Sequence, residues 1–233
     1  MNWRLTRYLR RGLAFAALGL MVPLFAAPAP SDAAAMASWD TITREKGILV
    51  STREEPGRQF PSFRGIGRID ASVWEIIAIL EDADNHVKWM HDCNGSRVVA
   101  KVDSTHQIVY NRTDAPWPVS DRDIVLKSSF QVTKNGKEIW AKFKATRHGD
   151  APEVDGVVRM PRLEGHYHIV ALDDGHSLVE YRVNADPGGS LPDWLVTQTT
   201  KDLPLHTLIN LRQRVKTMRG KYDLAKFKAH AGT

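Results

Sequence analysis

The feature that most constrains this chain is a run of strand-like segments closed by one long helical segment. Six stretches alternate apolar and polar residues, near Ser96–Val102, His106–Thr113, Asp121–Thr133, Lys137–Arg147, Val157–Leu172 and Ser177–Ala185. A period of two is the signature of half-buried strands. Asn135-Gly136 and Asp173-Asp174-Gly175 are hairpin turns, so neighbouring strands run antiparallel. Leu191 to about Met218 then reads as a helix with Pro192 near its start. Pro204 lies inside it, where a kink or a break is expected. An antiparallel sheet has an apolar face to cover, and this helix is long enough to cover it. A long helix gripped by a curved sheet leaves a space that is either filled core or a ligand cavity.

The segments before this run fit the same α+β class. Ile48–Arg53 and Phe63–Ile69 read as strands parted by a turn around Glu55-Pro56-Gly57. Ala71–Ala83 reads as a helix with Asp70 as N-cap and an apolar stripe of Val73, Trp74, Ile76, Ile77 and Leu80. Asn85–Cys93 is expected to add a second short helix.

The first 35 residues stand apart. Arg4, Arg7, Arg10 and Arg11 precede an uncharged apolar run, Gly12–Ala26, and then small residues with cleavage options after Ala35 or Ala37. That pattern is a secretory signal peptide. The competing reading is an uncleaved membrane anchor, but the run is short for a bilayer span and Pro23 interrupts it. The chain is therefore expected to be exported, most simply to a periplasm. Without residues 1–35, Lys and Arg fall from 32 to 28 and Asp and Glu from 27 to 26, so the net charge drops from +5 to +2. Nothing in that balance calls for nucleic acid. Cys93 is the single cysteine, so no intramolecular disulfide can form. The organisation expected is a leader over 1–35, possibly to 37, one domain over 39–218 and a basic tail over 219–233.

Alternation assigns faces. On the strand from Arg122, Ile124, Leu126, Ser128, Phe130 and Val132 share the inward face, which one hydroxyl interrupts. On Lys137–Arg147, Ile139, Ala141, Phe143 and Ala145 point inward, while Lys142, Lys144 and Arg147 share the wet face with Trp140. Val179, Tyr181, Val183 and Ala185 do the same on the last strand. Small residues such as Ala141 and Ala145 leave room, which favours a cavity over a tightly filled core.

Three segments together resemble the START lipid-transfer family. They are the passage Asp84–Ala100 containing Trp89, the run from Tyr110 through Pro116, Pro118, Ser120, Arg122 and Asp123 to Val125, and the stretch from Asp186 through Gly188, Gly189, Leu191, Pro192 and Trp194 into a helix that reaches Arg212. The resemblance covers roughly residues 47–218. It implies a helix-grip fold, with a curved antiparallel sheet around a long C-terminal helix and one lipid bound inside, serving transfer or sensing. It implies no catalysis; the chain is further expected to be a monomer without catalytic residues, metal or cofactor. In relatives this region can carry a buried arginine paired with an acid. Here Ser128 stands at the matching position and the corresponding face of His106–Thr113 offers Val109 and Asn111, not an acid, which argues against a buried ion pair. The candidate ligand residues are Met90, Val109, Asn111, Ile124, Leu126, Ser128, Phe130, Phe143, Met160, Tyr181, Thr199, Leu203 and His206. Of these, Ser128, Asn111 and His206 would select the head, although His206 can equally face solvent.

Other chemistry is weakly signalled. His166 and His168 share a strand face but lack a third metal ligand nearby, so they read as ordinary histidines. No nucleophile elbow or phosphate loop is present. Between Lys201 and Lys228, eight basic residues face two acids. Arg212, Arg214, Lys216 and Arg219 are the expected contacts to an anionic membrane, if this is more than a solvated helix face. Two other readings compete with the lipid carrier. One is an enzyme of the same fold, a cyclase or hydratase for a hydrophobic substrate, which needs an inward acid–base pair. The other is an interaction module with a packed interior.

Overall fold

The computed structural model describes residues 38–231; the expected leader, with its cleavage options at Ala35 and Ala37, lies outside the described residues. Strands β1 (Asp40–Glu45), β2 (Ile48–Arg53) and β3 (Ser62–Ile69) come first. Helix α1 (Val73–Glu81) and a 3-10 turn (Ala83–Lys88) follow. Next are β4 (Cys93–Lys101), β5 (His106–Thr113), β6 (Arg122–Thr133), β7 (Glu138–Ala145), β8 (Val158–Arg159), β9 (Arg162–Asp173) and β10 (His176–Asp186). Helices α2 (Asp193–Met218) and α3 (Ala225–Lys228) complete the chain. The strands form one sheet in the order β1-β2-β3-β10-β9-β7-β6-β5-β4, antiparallel throughout, with β8 added parallel to β6. This is the expected helix-grip arrangement.

Local chemistry explains the departures from expectation. Helix α1 is capped by Ser72, not Asp70. The Ser72 hydroxyl accepts from the Glu75 N–H, and the Glu75 carboxylate accepts from the Ser72 N–H, a reciprocal capping box. The short helix expected over 85–93 is a single 3-10 segment ending at Lys88. Val157–Leu172 is two strands, because Pro161 cannot donate to a ladder and parts β8 from β9. Pro204 neither breaks nor ends α2. An interior proline costs about 3 kcal/mol, and burial of Leu205, Leu208, Leu211 and Val215 on the same helix outweighs it.

Helix α2 lies against β2 and β3 because glycine lets it approach. A Cβ on Gly65 would stand 3.0 Å from Leu208 Cδ1 and 3.1 Å from the Pro204 carbonyl oxygen. Helix α1 packs against β7 and β9, filling the same concave side with Ile76, Ile77 and Ile79. The segment expected as a basic tail folds back: Phe227 is buried, and its ring lies 5.8 Å from that of Phe130.

The start of β6 is buried on both faces, which simple alternation does not anticipate. Val125 packs outward with Ile108 and Ala151 in a small second core. Beside it, Asp123 is buried and accepts two hydrogen bonds from Arg159, Nε to Oδ1 at 2.6 Å and Nη2 to Oδ2 at 3.0 Å. This pair ties β8 and the loop before it onto β6. It is a buried ion pair on the face away from α2, not in the interior where its absence was expected.

Candidate functional site

Between the sheet and α2 the side chains leave two adjoining spaces, of about 110 and 190 Å³. Thr113, Met160, Leu163, Tyr181 and Leu203 line both. The inner space lies under the end of α1. Sheet register builds its walls: Val109 pairs with Leu126, Asn111 with Ile124, Ser128 with Phe143, and Tyr167 with Tyr181. The two tyrosine rings are stacked at 4.5 Å. Phe143 lies across Gly165, where a Cβ would come within 2.7 Å of the ring and 2.2 Å of the Arg182 carbonyl oxygen. Glycine at that point lets the aromatic ring lie flat against the sheet and form a wall.

The polar residues of the inner space gather at one end. His86 is buried, with Nε2 2.9 Å from the Leu80 carbonyl oxygen. Burial, more than any other cause, lowers its pKa and keeps the imidazole neutral. Glu81, at the end of α1, has its pKa pushed up to about 7 by desolvation, against the pull of Lys226 and Lys101. Burial also raises the Cys93 thiol pKa, which disfavours the reactive thiolate. Among the residues lining the inner space there is no lysine or arginine.

The outer space is bounded by Phe60, Pro61, Pro116, Pro187, Leu191, Leu195 and Thr199. Trp117, next to Pro116, is 92% exposed, and Trp194, next to Leu195, is 54% exposed. A larger groove of about 750 Å³ lies on the opposite face of the sheet among Lys127, Lys142, Lys144, Glu55, Glu164 and Arg182. It is open and charged, so it offers no apolar enclosure.

Of the residues expected to meet a ligand, Met90, Val109, Asn111, Ile124, Leu126, Ser128, Phe143, Met160, Tyr181 and Leu203 line the inner space. Thr199 lines the outer one. Two lie elsewhere. Phe130 shares the inward face, but Phe227 and His230 fill the room in front of it. His206 is exposed, and its ring sits 4.7 Å from that of His91. The sequence reading missed Glu81, His86, Trp89, His91 and Tyr167 as lining residues.

A START domain family model matches residues 36–219. The chain belongs to the START domain family. A STAR-related lipid transfer protein from Xanthomonas axonopodis, in a solved fragment, is 34% identical, with a TM-score of 0.69 over 76% of this chain and 98% of that one. An uncharacterized protein of Pseudomonas aeruginosa is 33% identical over 75% of this chain and 85% of its own length. Phosphatidylcholine transfer protein from Bos taurus is 22% identical over 71% of this chain and 78% of its own.

Within this START domain, the arginines expected at a membrane are largely engaged by the fold. Arg212 donates to the carbonyls of Arg68 at 2.8 Å and Lys46 at 2.6 Å, pinning the turn between β1 and β2 to β3. Arg219 donates to the Asp70 carbonyl at 2.6 Å and lies 3.5 Å from Glu75. Arg214 is half-buried, and Lys216 is exposed. His166 and His168 bond to Glu180 and Glu138, at 3.1 and 2.7 Å, with Trp140 stacked on His168. Among the described residues no group of His, Cys, Asp and Glu is arranged to hold a metal. Likewise, no described helix is long and apolar enough to cross a membrane.

Proposed function

We propose that this START domain is a non-catalytic carrier that holds a single lipid in the space between the sheet and α2. The observation that carries the reading is the largely apolar space lined from seven strands and covered by α2. Apolar burial at about 25 cal/mol per Å² supplies most of the affinity. The lipid transfer proteins among its relatives support the same reading.

The two spaces are small for a lipid with two acyl chains, so loading requires the outer end to open. Trp117 and Trp194 stand beside that end and suit the membrane–water interface, where indoles are favoured. Membrane contact is therefore assigned to these tryptophans, with Lys216 the basic residue best placed to add attraction. The leader pattern over residues 1–35 supports an exported location.

The test is transfer of a fluorescent lipid between vesicle populations. The purified protein should accelerate transfer, and Trp117→Ala with Trp194→Ala should abolish the acceleration while leaving thermal unfolding unchanged. No acceleration by the unmodified protein would contradict the proposal. A second reading, acid–base catalysis, is favoured by one observation, the Glu81 carboxyl held near pH 7 in the cavity. It requires a bound ligand to be converted, which mass analysis of the ligand after incubation detects.

A further inference from the structure

The face of the sheet turned away from α2 carries a charge pattern that the fold does not require. Lys127 on β6 stands directly opposite Lys144 on β7. Lys142, two residues from Lys144 on the same face, stands opposite His166 on β9. His166 in turn pairs with Arg182 on β10, and Arg182 with Arg64 on β3, so a row of basic side chains crosses four neighbouring strands. Like charges directly opposed across a ladder are destabilising. Strands β6 and β7 lie inside the sheet, so these lysines do not guard an open edge.

The acids on this face are already committed. Glu55 is held by Arg53 and Arg182, at 2.8 and 2.9 Å. Glu180 is held by His166 and Arg64, at 3.1 and 3.4 Å, and Glu164 by Arg58 and Lys144, at 3.2 and 3.6 Å. Lys127 and Lys142 are exposed, and among the described residues no carboxylate bonds to either. The Lys142 ammonium lies instead 5.8 Å from the centre of the Trp140 ring. Both lysines open into the groove of about 750 Å³, whose lining holds five lysines and arginines against two glutamates.

The form of the groove favours one kind of anion. The loop between β2 and β3 borders it with Glu55 and Arg58, and His106 of β5 borders it at the other end. Arg182 and His166 are half-buried between them. A flat bilayer surface would meet the lysine tips and leave the rest of the groove empty. An extended polypeptide fits better: side chains on one of its faces are about 7 Å apart, the same step that separates Lys142 from Lys144 along β7.

We propose that this groove docks an acidic segment of a partner protein, with Lys127 and Lys142 as the free cations that receive its carboxylates. The lipid space lies on the other side of the sheet, so docking and lipid carriage use opposite faces.

The test titrates a capped hexaglutamate peptide into the purified protein at low and at physiological ionic strength. The peptide should bind, and more weakly as salt screens the charges. Lys127→Gln combined with Lys142→Gln should weaken binding about tenfold or more. The same variant should not lower the unfolding temperature, because it relieves the opposed charges. Lys221→Gln combined with Lys228→Gln removes equal charge from exposed positions outside the groove and should leave binding unchanged. No binding by the unmodified protein, unchanged binding by the groove variant, or equal loss in both double variants overturns the proposal. A lowered unfolding temperature in the groove variant also overturns it, since the lysines then serve the fold. So does a matching loss of binding to phosphatidylglycerol vesicles, which marks the face as a contact for anionic lipid.

Discussion

Arg159 holds the Asp123 carboxylate through two hydrogen bonds, at 2.6 and 3.0 Å, with the acid's side chain fully buried. Removing one partner of such a pair leaves a charge stranded in the interior, which costs about 3–5 kcal/mol. Arg159→Met should therefore lower unfolding stability by that order. Arg159→Met combined with Asp123→Asn should recover part of the loss. Chemical denaturation of the single and double variants checks this, and a single variant as stable as the parent would contradict it.

A second prediction concerns α2. Arg212 bonds to carbonyls on two segments of sheet, whereas Lys216 is exposed. Hydrogen bonds to charged groups are worth about 1.5–3 kcal/mol each. Arg212→Gln should thus lower the unfolding temperature clearly, and Lys216→Gln should leave it unchanged. If Arg212→Gln instead weakens vesicle binding with no loss of stability, the side chain acts at a membrane and not in the fold.

The wall formed by Phe143 depends on Gly165. A methyl group there would meet the Arg182 carbonyl at 2.2 Å and the Phe143 ring at 2.7 Å, distances that force a shift. Gly165→Ala should cost about 1–3 kcal/mol through overpacking and push the ring toward the cavity. Reduced ligand capacity alongside reduced stability is the expected pair of results, measured by equilibrium binding and thermal unfolding.

The buried acid Glu81 gives a pH signature. Its folded pKa, about 7, lies above the ordinary 4.5. Its contribution is intact below pH 4.5 and is lost as pH rises through 7, because the unfolded chain releases the proton first. His86 and His91 act in the opposite sense. Burial lowers both from 6.5, so their contribution is present above pH 6.5 and lost as pH falls below it. Glu81→Gln isolates one slope. Its stability relative to the parent should grow from pH 4.5 to about 7 and then level off; parallel profiles would contradict the assignment.

Most strands and the cavity walls were legible because side-chain alternation on strands such as β5, β6 and β7 fixes which residues share a face. What escaped was set by packing that no local period encodes. Strand β1 offers only exposed Ile42 as an apolar signal, and β8 is two residues long. Phe130 has the right parity but lies under Phe227, which returns from far along the chain. The side His206 takes depends on how α2 seats on Gly65. Glu81 reaches the cavity from the end of α1 and His86 from the 3-10 segment after it, positions that only the folded chain brings against the strands. Asp123 and Arg159 are 36 residues apart, and their pairing requires β8 to add to β6.

The most direct test of the central claim is the mass of the intact protein, purified without detergent and released gently from solvent. The account predicts a population heavier than the polypeptide by one lipid. Collisional activation should release that lipid as one discrete mass. A spectrum that shows the bare polypeptide alone, both as purified and after incubation with hexadecan-1-ol, would contradict the claim that the space beneath α2 carries a lipid.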